Sequence, residues 1–145
     1  FETSPYNEWL SYGQAKTANA LFSAGLESRF ADKGVHAIAV HPGGIETNLG
    51  RHLSQEQRDA LAERVTTSDP NFKWKNIPQG AATQVWAATA PELEGRGGIY
   101  CEDCHVAEID DESSNGGVRS YALDPMQADR LWTLSEQLTG ESFSA

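Results

Sequence analysis

The stretch Tyr12-Gly13-Gln14-Ala15-Lys16 opens a pattern of apolar and small residues whose spacing predicts one helix to about Ala31. Positions four apart lie on one face of a helix, one turn from each other, so Tyr12 and Lys16 are predicted to be neighbours. An ammonium group close to a phenol favours the phenolate. Such a pair could accept a proton from a substrate hydroxyl or give one to a carbonyl.

The composition indicates one modest domain and argues against two classes of partner. The chain has 145 residues and a formal net charge of -10. Nucleic acids and anionic membranes attract basic surfaces, so neither is expected to bind. No apolar run reaches the ~20 residues of a membrane span, and two cysteines do not make a disulfide framework. We therefore expect a cytoplasmic protein without a membrane span.

Helical patterns alternate with short strand patterns along the chain, which favours an α/β fold with a parallel sheet. Gly34 is expected to end the first helix, and Ser54 with Gln57 is typical of a capping box. Two strands are too few for such a sheet, so the chain is expected to supply part of one. The predicted elements are a helix to about residue 31, a strand over 35–40, helices over 54–65 and 79–90, a strand over 97–101 and a final helix over 124–140, with Leu131, Leu134 and Leu138 on one face.

The second informative segment is Pro42-Gly43-Gly44-Ile45-Glu46-Thr47, which follows the first predicted strand. In open α/β sheets, ligands bind outside the carboxyl ends of the strands. Glycines let a backbone come close to a ligand. Backbone groups near Ile45 could bond a planar amide, and the Thr47 hydroxyl could bond an amide or a phosphate. A plain turn between a strand and a helix is the alternative interpretation.

The two segments together resemble the short-chain dehydrogenase/reductase family, in which Tyr-x-x-x-Lys heads a slim helix and Pro-Gly-x-Ile-x-Thr follows the next strand. The amino-acid sequence over 12–19, 41–43, 98–104 and 121–125 is similar to sequences of the retinol dehydrogenase and WW-domain oxidoreductase-like subgroup. The resemblance implies that residues 1–145 form the C-terminal half of a Rossmann-type doubly wound parallel sheet, within a single NAD(P)-binding domain. It places the phosphate-binding loop and the catalytic Ser upstream of Phe1, because neither Ser4 nor Ser11 follows a strand. The segment alone is therefore expected to be inactive.

The resemblance also implies roles for particular residues. Tyr12 would be the general acid/base in the interconversion of an alcohol and a carbonyl compound, and Lys16 would hold the nicotinamide ribose of NAD or NADP and assist Tyr12. The expected partners are a small-molecule substrate and other copies of the chain, as a homodimer or tetramer packed through the Tyr12 helix. The nicotinamide carboxamide would be bound by the segment that comprises Pro42, Gly43, Gly44, Ile45 and Thr47.

Two other interpretations stay open. A non-catalytic interaction module could share the same fold. Cys101, Cys104 and His105 fit the Cys-x-x-Cys-His spacing of a c-type haem attachment, whereas two reduced structural cysteines are the simpler interpretation. Zinc would need a further ligand, so no metal site is predicted. His36 is expected to be a satisfied core histidine, and His41 could contact cofactor or substrate.

Overall fold

A computed structural model describes residues 5–45, 47–70, 72–113 and 116–143. Ser4, and Glu46 of the predicted ligand loop, lie outside these residues. The described chain contains four α-helices and three β-strands, joined by short 3₁₀ turns. The helices are α1 (Glu8–Phe30), α2 (Gln55–Ser68), α3 (Ile77–Thr89) and α4 (Pro125–Thr139), and the strands are β1 (Ile38–His41), β2 (Ile99–Glu102) and β3 (His105–Val106).

The three strands form one small sheet in the order β1-β2-β3. Strands β1 and β2 are parallel, with Ile38 opposite Ile99 and His41 opposite Glu102. Strand β3 returns antiparallel to β2, so the sheet is mixed. The α/β class is confirmed, but the expectation of two parallel strands alone is wrong, because a tight turn folds the chain back after Glu102.

Helices cover both faces of the sheet. Helices α1 and α4 pack together on one face, where Ala20, Ala39, Val118 and Ala122 form a small core. Trp132 of α4 stacks on Phe22 of α1, with 5.6 Å between the ring centroids. Helix α3 covers the other face, on which the side chains of Thr83 and Cys101 are fully buried.

The ends of the helices follow local signals. Gly34 adopts φ of +75° and donates to the Ala31 carbonyl, so the predicted glycine stop after α1 is confirmed. Both hydrogen bonds of the predicted capping box between Ser54 and Gln57 are present, and α2 continues beyond the predicted end to Ser68. The N-cap of helix α3 is Asn76, which forms a capping box with Gln79, so the helix begins two residues earlier than predicted.

Three predictions are wrong: the start of the first strand, the core position of His36 and the leucine face of α4 as the buried one. Strand β1 begins at Ile38 because Val35 is exposed and His36 bonds the Glu27 carboxylate at 3.0 Å at the surface, which also removes His36 from the core. Leu134 and Leu138 of α4 are exposed, and Ala128 and Trp132 are buried instead. On α1, the buried residues are Ala20, Leu21 and Gly25.

Candidate active site

Tyr12 and Lys16 are neighbours on the first turns of α1. The Lys16 Nζ lies 5.3 Å from the centroid of the Tyr12 ring. Asn7 begins the helix by accepting a hydrogen bond from the Leu10 N–H, which fixes both residues one turn apart. Tyr12 is 53% exposed, so its hydroxyl is accessible to a small molecule.

The pair lies at the carboxyl end of the parallel strands. Helix α1 leads through a short turn into β1, so its N-terminal turns point toward the end of β1. Ala20 packs beside Ala39, and Tyr12 lies eight residues earlier, about 12 Å along the helix axis. Tyr100 of β2 is affected electrostatically by Tyr12. The pKa of Tyr100 is raised first by burial, then by the charge of Glu102 and then by that of Tyr12. Sequence reasoning missed Tyr100 as a neighbour of the pair.

The glycines of the loop after β1 make room for another part of the same chain. Gly43 has φ of +85°, and a Cβ there would lie 2.7 Å from the Lys75 side chain. A Cβ on Gly44 would lie 2.5 Å from the ring of Phe72. The Lys75 N–H donates to the Gly44 carbonyl at 2.9 Å, which ties the two segments together. The Lys75 ammonium reaches further and pairs with the carboxylate of Asp103.

Ile45 and Thr47 take different positions in this loop. The Ile45 side chain packs on Gly80 at the start of α3, where an added Cβ would lie 2.5 Å from it. Among the described residues, the N–H and C=O of Ile45 make no hydrogen bond. The Thr47 hydroxyl accepts from the Leu49 N–H at 3.2 Å and so caps a short 3₁₀ helix, Asn48–His52. Sequence reasoning did not foresee this capping role, although threonine is a favoured N-cap residue.

The cysteines are placed differently from what a haem attachment needs. Both thiols are free, but Cys101 is fully buried beneath α3, and burial raises the pKa of its thiol. Attachment of one haem would need both sulfurs to reach its vinyl groups, whereas Cys101 is enclosed and Cys104 is exposed. Within the described ranges, His, Cys, Asp and Glu side chains form no group of three that could hold a metal ion. None of the helices that the structure describes is long and apolar enough to cross a membrane.

Comparison with curated proteins supports an oxidoreductase of the short-chain dehydrogenase/reductase type. A Penicillium rubens protein named short-chain dehydrogenase/reductase prx1 is 41% identical over 133 residues, which are 90% of this chain and 38% of that protein. A probable oxidoreductase of Streptomyces lividans is 42% identical over 138 residues, or 91% of this chain and 46% of that protein. Short-chain dehydrogenase TIC 32 B, chloroplastic, of Brassica napus is 41% identical over 135 residues, 92% of this chain and 38% of that protein.

These matches define how much of a relative the chain represents. The chain spans about two fifths of the length of these curated relatives. No family model matches it, and no solved structure matches it. The similarity therefore supports a general oxidoreductase role and a partial α/β domain, and it leaves the subgroup, the cofactor and the location as predictions.

Proposed function

We propose that this chain is the C-terminal part of a single NAD(P)-binding domain of a short-chain dehydrogenase/reductase, similar to the retinol dehydrogenase-like subgroup. A relative named short-chain dehydrogenase/reductase matches nine tenths of the chain. Strand β1 pairs only with β2 among the described strands, which leaves one edge of the sheet available to a further strand. The described core is also small, while Trp9, Leu10 and Val85 are exposed. Further chain packed on these surfaces would complete the domain.

The proposed reaction interconverts an alcohol and a carbonyl compound. Tyr12 would take the proton from the alcohol, or give it to the carbonyl oxygen, as the general acid/base. Lys16 would stabilise the phenolate form of Tyr12 and bind the ribose of the cofactor. The observation that carries the proposal is the position of the Lys16 ammonium over the exposed Tyr12 ring, at the carboxyl end of β1.

The loop after β1 fits the nicotinamide end of NAD or NADP. The backbone groups of Ile45, which make no hydrogen bond among the described residues, can bond a carboxamide, which presents both a donor and an acceptor. The Thr47 hydroxyl keeps its own proton to donate while its oxygen caps the 3₁₀ helix. Pro42, Gly43 and Gly44 would shape the approach. When bound, the dinucleotide supplies or accepts the hydride; the residues of this chain orient it and move the proton.

The experiment is a substitution of Tyr12 in the protein produced at full length. Tyr12→Phe removes only the hydroxyl, so turnover should fall by about 10²–10⁴-fold while cofactor affinity stays within a few-fold. Tyr121→Phe is the matched control, because Tyr121 is equally exposed, at 55%. Near-wild-type kcat in Tyr12→Phe would contradict the assignment. A folded, full-length wild type that binds no dinucleotide would favour the non-catalytic module.

Two further parts of the proposal concern the whole protein. Association into a homodimer or tetramer through α1 would cover its exposed Phe22. Size-exclusion chromatography with light scattering of the full-length protein would show a monomer if this is wrong. A cytoplasmic location remains a prediction, and one relative of similar identity carries the word chloroplastic in its name.

A further inference from the structure

A polar cavity of about 270 Å³ opens at the carboxyl ends of β1 and β2. Its walls include His41, Tyr100, Glu102, Gly117 and Arg119. In a strand, residues two apart face the same side, so Tyr100 and Glu102 point to the α1 face of the sheet. His41 stands opposite Glu102 in the parallel register and joins the same side. The cavity therefore lies on the face that carries Tyr12.

Gly116 and Gly117, which line the cavity, pack against the Glu102 side chain. The Gly117 N–H donates to Glu102 Oε1 at 2.6 Å. Gly116 has φ of +84°, and a Cβ there would lie 3.3 Å from the same carboxylate oxygen. The loop is fixed in turn by Arg119, whose Nη1 donates to the Asp110 carbonyl at 2.6 Å. The Glu102 carboxylate is thus held in place, and among the described residues it accepts no other hydrogen bond.

Two of the polar side chains that line the cavity, which also include His41, Ser113 and Arg119, have complementary hydrogen-bonding roles. Tyr100 is half-buried, and the raised pKa of its hydroxyl keeps it protonated as a donor. Glu102 offers a carboxylate oxygen as an acceptor. A hydrocarbon placed between them would leave the Tyr100 hydroxyl without a partner and would leave the Glu102 carboxylate with the Gly117 N–H but without water, which is costly. A molecule with hydroxyl groups could satisfy both.

Tyr12 connects the cavity to the proposed chemistry. Tyr12 lies on the same face of the sheet, toward the carboxyl end of β1, and after burial and Glu102 its charge contributes to the raised pKa of Tyr100. We propose that the cavity receives the substrate atoms next to the reacting carbon and selects a small hydroxylated ketone or aldehyde over a hydrocarbon one. This inference rests on the proposed function.

The test compares two ketones of six non-hydrogen atoms each, dihydroxyacetone and 3-pentanone, in reduction by the full-length protein with NADH or NADPH. We expect the wild type to prefer dihydroxyacetone in kcat/KM by at least about tenfold. Tyr100→Phe and Glu102→Gln should each lower kcat/KM for dihydroxyacetone by about tenfold, mainly through KM. Both should leave 3-pentanone within about twofold. Gln at 102 can still accept from Gly117, so the loop should stay folded.

Matched controls separate this inference from the proposed function. Glu108→Gln changes an exposed carboxylate outside the cavity, and Tyr121→Phe removes an exposed hydroxyl; neither should alter the preference. Tyr12→Phe should abolish the reduction of both ketones if the proposed function holds. A wild type that favours 3-pentanone, or that keeps its preference in both cavity variants, would overturn the inference alone. A wild type that binds the dinucleotide but reduces neither ketone would also overturn it. The inference would also be overturned if Glu102→Gln raised the KM for the dinucleotide instead of the KM for dihydroxyacetone.

Discussion

The ammonium group of Lys75 and the carboxylate of Asp103 form an ion pair across the loop that follows β1, although 28 positions separate them in the chain. The Lys75 side chain lies on Gly43 on its way to Asp103. The pair therefore joins three segments: the loop after β1, the segment before α3 and the turn between β2 and β3. Only glycine at 43 leaves room for this path.

The ion pair should be visible in the titration of Asp103. The hydrogen bond and charge of Lys75 hold the pKa of the Asp103 carboxyl below its usual value, with smaller contributions from His105 and His41. A lowered pKa means that the stabilisation is complete above the ordinary aspartate pKa and is lost as the pH falls through the folded value. Lys75→Met should raise the Asp103 pKa in a carbon-13 NMR titration. Lys73→Met, in the same segment, is the control, and an unmoved Asp103 midpoint in Lys75→Met would contradict the pair.

Lys16→Ala should impair both cofactor affinity and rate, because one ammonium group is proposed to serve the ribose and the phenolate of Tyr12. The pH midpoint of alcohol oxidation should move upward, since the phenolate loses its neighbouring positive charge. Steady-state kinetics from pH 6 to about 10 would measure both effects. Lys33→Ala is a matched control, because the Lys33 Nζ lies 5.7 Å from the centroid of the Phe30 ring, a similar cation–π geometry away from the site. Unchanged affinity and pH profile would make Lys16 a surface lysine only.

Thr47→Val should cost stability as well as cofactor affinity. The hydroxyl that is proposed to bind the cofactor also caps the 3₁₀ helix Asn48–His52, and loss of an N-cap typically costs about 1 kcal/mol. Thr47→Ser keeps the hydroxyl and should retain both properties. Urea denaturation and dinucleotide titration would be measured on the same samples. If Thr47→Val lowers stability but binds cofactor normally, the residue is a cap alone.

The 145-residue chain produced by itself should bind NADH and NADPH weakly or not at all. A dinucleotide pyrophosphate is bound by a Gly-rich turn that follows a strand and begins a helix. Gly97 and Gly98 precede β2 instead, and φ of +64° at Gly98 shapes the entry to that strand. Isothermal titration calorimetry of the isolated chain is the direct measurement. Micromolar binding by a monomeric chain would contradict the proposed location of the cofactor site.

The parts of the fold that the sequence predicted depend on local chemistry. Gly34, the Ser54–Gln57 capping box and Asp124 before Pro125 each mark a helix end through contacts within a few residues. The i,i+4 spacing likewise predicted the contact between Tyr12 and Lys16. Such signals do not depend on the rest of the chain.

The parts that were missed depend on contacts between distant segments. Strand β3 has only two residues, too few for an alternating pattern. The prediction of the buried face of α4 was wrong because α1 contacts Trp132 rather than Leu134. The spacing of the leucines does not indicate this contact. The electrostatic effect of Tyr12 on Tyr100 and the position of Lys75 over Gly43 follow from strand register and loop packing, which no local spacing encodes.

The turn between β2 and β3 limits which substitutions this sequence can accept. Asp103 and Cys104 both adopt left-handed φ, +46° and +57°, which glycine tolerates best. Asp103 is kept there with a side chain that reaches Lys75, and the Cys104 N–H bonds the buried Thr83 hydroxyl at 3.3 Å. Glycine at 103 would relieve the backbone but lose the ion pair. The effects of substitutions at positions 75 and 103 are therefore coupled. Glycine at 103 is disfavoured only while lysine occupies 75. Relatives without that lysine should be able to carry glycine at 103.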